Sequence, residues 1–179
     1  MSNYKRYFKY SNNPVFITFV TYNRREILIS NIELLKNSFK QALLKYQFEI
    51  IAIAVLKDHC HLIISADTPQ NISNIVKAIK YYFSSNIDNK YICKDLTSSA
   101  IKRGEKGIWQ RRYYDHIIRN EDDLYKHIDY IHYNSMKHYG ISPKDWEYSS
   151  FKMYVKNKYY NVDWCNFEDK HKIKSMDYE

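Results

Sequence analysis

Val55-Leu-Lys-Asp-His-Cys-His-Leu-Ile-Ile-Ser65 is an apolar, β-branched run interrupted by two histidines one residue apart. Read as a strand, its period of two puts His59 and His61 on one face and Cys60, Leu62 and Ile64 on the other. Two imidazoles held side by side on a rigid strand are half of a metal site. The spacing alone is a weak signal, because a chain with seven histidines produces such pairs by chance. Its setting adds weight: an apolar run in the middle of a sheet is rigid and partly dry, as a preorganised site requires.

Working outward, Phe48 to Leu56 is almost continuously apolar and reads as a central strand, with Lys57-Asp58 as the hairpin turn that leads into His59. Upstream, residues 15–22 (Val-Phe-Ile-Thr-Phe-Val-Thr-Tyr) read as a strand. From Asn31 to Tyr46, Ile32, Leu35, Phe39, Ala42, Leu43 and Tyr46 recur at helical spacing. Downstream, Thr68 to Ser73 opens a second helix with Ile72, Ile75, Val76, Ile79, Tyr82 and Phe83 on one face. Residues 86–107 read as a long polar connection with a short helix around Ile92 to Leu96. The second half of Ile108–Ile118 is strand-like, and Asn120 caps a third helix that Gly140 closes near His138.

The order β-α-β-β-α-β is the split β-α-β unit of a ferredoxin-like fold. The expectation is an α+β domain: a four-stranded antiparallel sheet with two helices on one face, an additional helix, and the other face open to a ligand or to that third helix. Because the second strand is apolar throughout, part of that other face must be covered. We expect residues 1–140 to form the domain, with a basic, aromatic arm at the start, and residues 141–179 to form a tail packing back on it.

The chain has 179 residues and a net charge of +8. An excess of Lys and Arg with 19 tyrosines points to a polyanionic partner, and nucleic acid is the commonest one. No stretch approaches a membrane span and the N-terminus lacks a signal peptide, so a cytoplasmic protein without a membrane partner is expected. Three widely spaced cysteines indicate neither a disulfide framework nor a zinc ribbon.

Two imidazoles need a further ligand, and the third helix is the best source. Leu124, Ile128, Ile131 and Ser135 form its core stripe; Tyr130 and Asn134 are neighbours on an adjoining face, with His127 beside them. A tyrosine hydroxyl next to a carboxamide oxygen pairs a nucleophile with a ligand. On these residues alone, Tyr113, Tyr114, Tyr125 and Tyr133 compete for that role.

Asp58-His-Cys-His-Leu62, Trp109-Gln-Arg-Arg-Tyr113 and His127-Ile-Asp-Tyr-Ile-His-Tyr-Asn134, in this order, resemble the HUH single-tyrosine transposases, and within them the REP-associated tyrosine transposases. The resemblance runs from Tyr4-Lys-Arg-Tyr7 to Asp145-Trp-Glu-Tyr-Ser-Ser150. It implies that His59, His61 and Asn134 bind a divalent metal, Mg²⁺ or Mn²⁺, and that Tyr130 is the nucleophile. It implies cleavage and rejoining of single-stranded DNA beside a hairpin through a 5′-phosphotyrosine. Lys5, Arg6, Tyr7, Arg24, Arg25, Arg111 and Arg112 become candidates for gripping DNA, and the expected state is a monomer or homodimer. Three positions depart from the family pattern: Cys60 stands where a large apolar residue is usual, Lys57 where Pro is common, and Ser135 where Pro often follows the amide.

Two other readings compete. The same scaffold serves non-catalytic nucleic-acid-binding modules, with Phe16, Phe19 and Tyr22 as stacking platforms, although no RNP1-like pattern is present. A metal-independent ribonuclease would use His59 or His61 as general acid and base.

Overall fold

The computed structural model describes residues 13–68 and 70–165. The expected N-terminal arm, with Lys5, Arg6 and Tyr7, lies outside the described residues, as does the end of the tail from residue 166.

Four strands, β1 (Val15–Val20), β2 (Phe48–Val55), β3 (His59–Ala66) and β4 (Tyr114–Ile117), form one antiparallel sheet in the order β2-β3-β1-β4. Helices α1 (Ile32–Lys45) and α2 (Asn71–Asn86) supply the two crossovers. This is the expected ferredoxin-like arrangement. The period-two reading of β3 holds. Cys60, Leu62 and Ile64 join Val15, Ile17 and Phe19 in a core capped by Leu35 and Phe39 of α1 and Ile75, Ile79 and Phe83 of α2.

The opposite face is covered by α4 (Glu121–Tyr139), whose Ile128, Tyr130 and Ile131 pack on Phe16, Ala52, Ala54 and Ile63. Its start is set by Asn120, whose side chain accepts the Asp123 amide at 2.9 Å, with three acidic residues in the first turn facing the helix dipole. Its end is set by Gly140 at φ +66°, a left-handed position that glycine occupies without Cβ strain.

The helix is buried on more than the expected stripe: His132 and Tyr133 are buried too. The cause is the segment after it. Trp146 donates its indole N–H to Val55 O at 3.0 Å, Tyr154 its hydroxyl to Ile51 O at 2.9 Å, and α5 (Phe151–Lys156) closes over His132. Burial pushes the His132 imidazole down to about 3.

Two local expectations need correction. The short helix of the long connection is α3, Ser98–Lys102, rather than Ile92 to Leu96. Thr97 supplies the cap, its hydroxyl accepting the Ala100 amide at 3.2 Å. Strand β1 stops at Val20 instead of Tyr22, because Asn23 and Arg24 turn the chain through positive φ. Phe16 and Phe19 are both fully buried, on opposite faces of the sheet, which removes them as base-stacking platforms.

Candidate active site

His59 opens β3 straight from the hairpin turn, which is anchored on three sides. Thr21 N–H donates to Asp58 O at 2.8 Å, Leu28 N–H to Lys57 O at 2.9 Å, and Lys57 N–H to the Tyr139 hydroxyl at 3.0 Å. The last contact ties the final residue of α4 to the turn that carries the histidines.

His59 and His61 are 1% and 0% exposed, with ring centroids 4.7 Å apart. Each ring is oriented through Nδ1. His59 Nδ1 lies 2.6 Å from Asp58 Oδ1, and His61 Nδ1 lies 2.7 Å from Thr18 Oγ1 across the β1–β3 register. The other Asp58 oxygen accepts from Arg24 at 3.2 Å. Burial works to raise the Asp58 pKa, but the hydrogen bond with His59 and the Arg24 charge hold it below the usual carboxylate value. With Nδ1 of both rings engaged, Nε2 is the nitrogen each ring presents, and it is buried. A carboxylate and a hydroxyl fixing the far nitrogens of two imidazoles is the outer shell that metal-binding histidines use.

Helix α4 lays its own residues over this pair. The Tyr130 ring stands edge-on to His61 at 5.2 Å, and the His138 ring edge-on to His59 at 4.9 Å. Asn134 is fully buried; its Nδ2 donates to Tyr130 O at 2.6 Å, and its Oδ1 makes no hydrogen bond among the described residues. A buried amide oxygen without a donor is costly, and a cation would satisfy it. Two imidazole nitrogens and an amide oxygen are a donor set that a divalent ion could take. Lys137, two turns after Tyr130, places Nζ 3.4 Å from the Tyr130 hydroxyl.

The structure sets the Tyr130 ring on His61 and the His138 ring on His59, with Asn134 one helical turn from each along α4. Thr18, Lys137 and His138 join this site without a motif of their own. Lys137 and His138 fall at helical spacing from Tyr130 and Asn134, a signal present in the sequence; Thr18 needs the strand register. The candidate DNA-gripping arginines separate. Arg24 supports Asp58. Arg25 donates from Nη1 to Gly107 O at 3.1 Å and from Nη2 to Tyr91 O at 2.7 Å, clamping the long connection. Arg111 and Arg112 are exposed and line a groove of about 1010 Å³ on the α2 side of the sheet, with Lys77, Lys80, Arg103 and Lys106. Burial lowers Lys80 to about 8.

A second group lies beside the site. His116, Asp123 and His127 bring one ligand-type atom each to within 4.8 Å of one another. His116 Nε2 is 2.9 Å from Asp123 Oδ2, and His127 Nδ1 is 2.7 Å from Asp123 O. The two rings stack at 4.6 Å and 14°, so their in-plane lone pairs lie in nearly parallel planes and do not converge on one point. That geometry suits a hydrogen-bonded cap of α4 better than an ion.

Among the described residues no helix is long and apolar enough to cross a membrane. Residues 9–134 match the family model described as IS200-like transposase. The chain is 38% identical over 169 residues to a Haemophilus influenzae protein assigned to the REP-associated tyrosine transposases, covering 92% of this chain and 93% of that one. It is 30% identical over 167 residues to the Escherichia coli REP-associated tyrosine transposase, covering 92% of each. It superposes with a TM-score of 0.70 on a REP-associated tyrosine transposase solved bound to a REP hairpin, at 28% identity, over 87% of this chain and 86% of that one. This chain therefore belongs to the IS200-like transposase family, among its REP-associated tyrosine transposases.

Proposed function

We propose that the protein cleaves and rejoins single-stranded DNA beside a hairpin, with Tyr130 as nucleophile and a divalent metal held by His59, His61 and Asn134. One observation carries the reading: α4 sets the Tyr130 ring on His61 while burying the Asn134 oxygen without a hydrogen bond among the described residues. When bound, the ion supplies Lewis-acid polarisation of the scissile phosphate. The chain's own residues do the rest. Asp58 and Thr18 hold the imidazoles in orientation, and α4 keeps the phenol one ring away. Attack of the phenol oxygen on phosphorus gives a 5′-phosphotyrosine and a 3′-hydroxyl; a second 3′-hydroxyl reverses the step on another strand. Because Tyr130 is fully buried, DNA reaches it only once the packing around it opens. The groove with Arg111 and Arg112 supplies cations for the phosphate backbone.

The test is incubation of hairpin-flanked single-stranded DNA with the protein and Mn²⁺, followed by a denaturing gel. A covalent adduct is expected, and it disappears with EDTA and in Tyr130→Phe. An adduct that survives Tyr130→Phe overturns the nucleophile, and strand cleavage without an adduct favours the ribonuclease-like chemistry of the histidines. Binding without any cleavage favours the non-catalytic module.

A further inference from the structure

We infer that Lys137 is a catalytic residue: its ammonium binds the Tyr130 oxygen and compensates the charge that oxygen carries as the phosphotyrosine forms and breaks. The inference rests on Tyr130 being the nucleophile, as proposed above.

Lys137 follows Tyr130 by two helical turns and so shares its face of α4. Nζ lies 3.4 Å from the phenol oxygen and 5.3 Å from the ring centroid. The charge is therefore aimed at the group that becomes anionic rather than at the ring face. The separation is at the long end of a hydrogen bond, as resting active sites show before substrate tightens them. Lys137 is exposed whereas Tyr130 is fully buried, so the amine reaches the phenol from the solvent side. It also sits in the last turn of α4, where the negative end of the helix dipole favours a cation.

A lysine on a helix face is ordinarily a solvated charge whose stem covers apolar surface. What distinguishes Lys137 is the partner, since a tyrosine hydroxyl with an ordinary pKa near 10 is a poor nucleophile at neutral pH. In cleavage, the bond from the Tyr130 oxygen to phosphorus forms and the bond from phosphorus to the 3′ oxygen breaks. The phenol proton leaves to solvent and the departing 3′ oxygen takes one from solvent, so protons balance. Lys137 stays protonated throughout. In joining, a 3′-hydroxyl attacks and the phenolate leaves, facing the same ammonium. Because the ammonium meets charge on that oxygen in the transition state and not in the phenol or the phosphodiester on either side of it, removing the ammonium leaves the equilibrium between them unchanged and slows both directions by one factor.

Single-turnover kinetics test this with the full chain, Mn²⁺ and a hairpin-flanked oligonucleotide. Lys137→Met is expected to slow adduct formation at saturating DNA by about 100-fold. Joining slows by the same factor, and the equilibrium fraction of adduct and the DNA Kd stay unchanged. Lys137→Arg keeps the charge and recovers most of the rate. A bridging 3′-sulfur substrate, whose leaving group needs no acid, leaves Lys137→Met as slow relative to wild type as before. A Lys137→Met rate like wild type overturns the inference. So does a loss confined to Kd, which would make Lys137 a phosphate contact, and so does full rescue by the 3′-sulfur substrate, which would make it the acid for the leaving group. Peptide mapping separates the two proposals. A wild-type adduct on another residue overturns both, whereas a Tyr130 adduct insensitive to Lys137 overturns this one alone.

Discussion

The hydroxyl of Thr18 on β1 lies 2.7 Å from Nδ1 of His61 on β3, and the two residues face each other in the strand register. With His61 Nδ1–H donating to this oxygen, Nε2 keeps its lone pair for an ion. Thr18→Val preserves shape and removes the acceptor, and we expect Mn²⁺ affinity to fall by about 10-fold or more. Thr18→Ser is expected to retain it. Calorimetric titration with Mn²⁺ measures both, and an unchanged Thr18→Val affinity would remove Thr18 from the site.

His132 makes stability depend on pH in a defined window. Its pKa of about 3 in the folded chain lies below the ordinary 6.5, because burial disfavours the cation. Between those values the unfolded chain takes up the proton and the folded one does not. Stability therefore falls as pH drops from 6.5 toward 3, by about 1.4 kcal/mol per pH unit from this group. Burial lowers His127 too, which adds slope in the same direction. The depressed carboxyls of Asp58 and Asp123 act lower, below 3.8. Urea denaturation near neutral pH and near pH 5 should show a smaller difference in His132→Gln than in wild type; equal differences would show that His132 protonates without unfolding.

The arginines should divide into framework and ligand contacts. Arg25→Ala removes two hydrogen bonds to the carbonyls of Gly107 and Tyr91 and is expected to cost about 2 kcal/mol of stability. The double variant Arg111→Ala, Arg112→Ala should leave thermal stability unchanged. It should weaken DNA binding and reduce the salt dependence of log K by about two. The measurements are thermal melts and fluorescence anisotropy across a salt series. A DNA-binding loss in Arg25→Ala without a stability loss would reverse the assignment.

Two glycines of the long connection give a matched pair. Gly107 has φ +61°, and a Cβ there would press on Cys93 Cβ and stand 2.8 Å from Leu96 Cδ2. Gly104 has φ +67° with nothing within 4 Å. Gly104→Ala should lose about 1 kcal/mol through backbone strain alone. Gly107→Ala should lose clearly more, because Cys93, whose Cβ sits directly on the backbone, must also move. Chemical denaturation of the two variants provides the comparison.

Much of the architecture was legible because it is periodic. The alternation in β3 separates His59 and His61 from Cys60, Leu62 and Ile64 in any sheet that buries it, and helical spacing makes Tyr130 and Asn134 neighbours wherever α4 goes. Asn120 and Gly140 mark the ends of α4 through local backbone chemistry. Spacing within one element could not say which tyrosine meets the histidines, since Tyr125 and Tyr133 lie on the same helix. The family resemblance pointed to Tyr130, and packing puts its ring on His61 while Tyr125 is exposed. The chain by itself determined the elements and the faces their side chains share, because those follow from backbone geometry over a few residues. Tertiary structure decided which faces meet: Thr18 opposite His61, Arg25 turned to the carbonyls of a loop more than sixty residues away, Lys137 at the phenol, and His132 buried under Tyr154. Those pairings depend on strand register and helix docking, which arise from contacts between residues far apart along the chain.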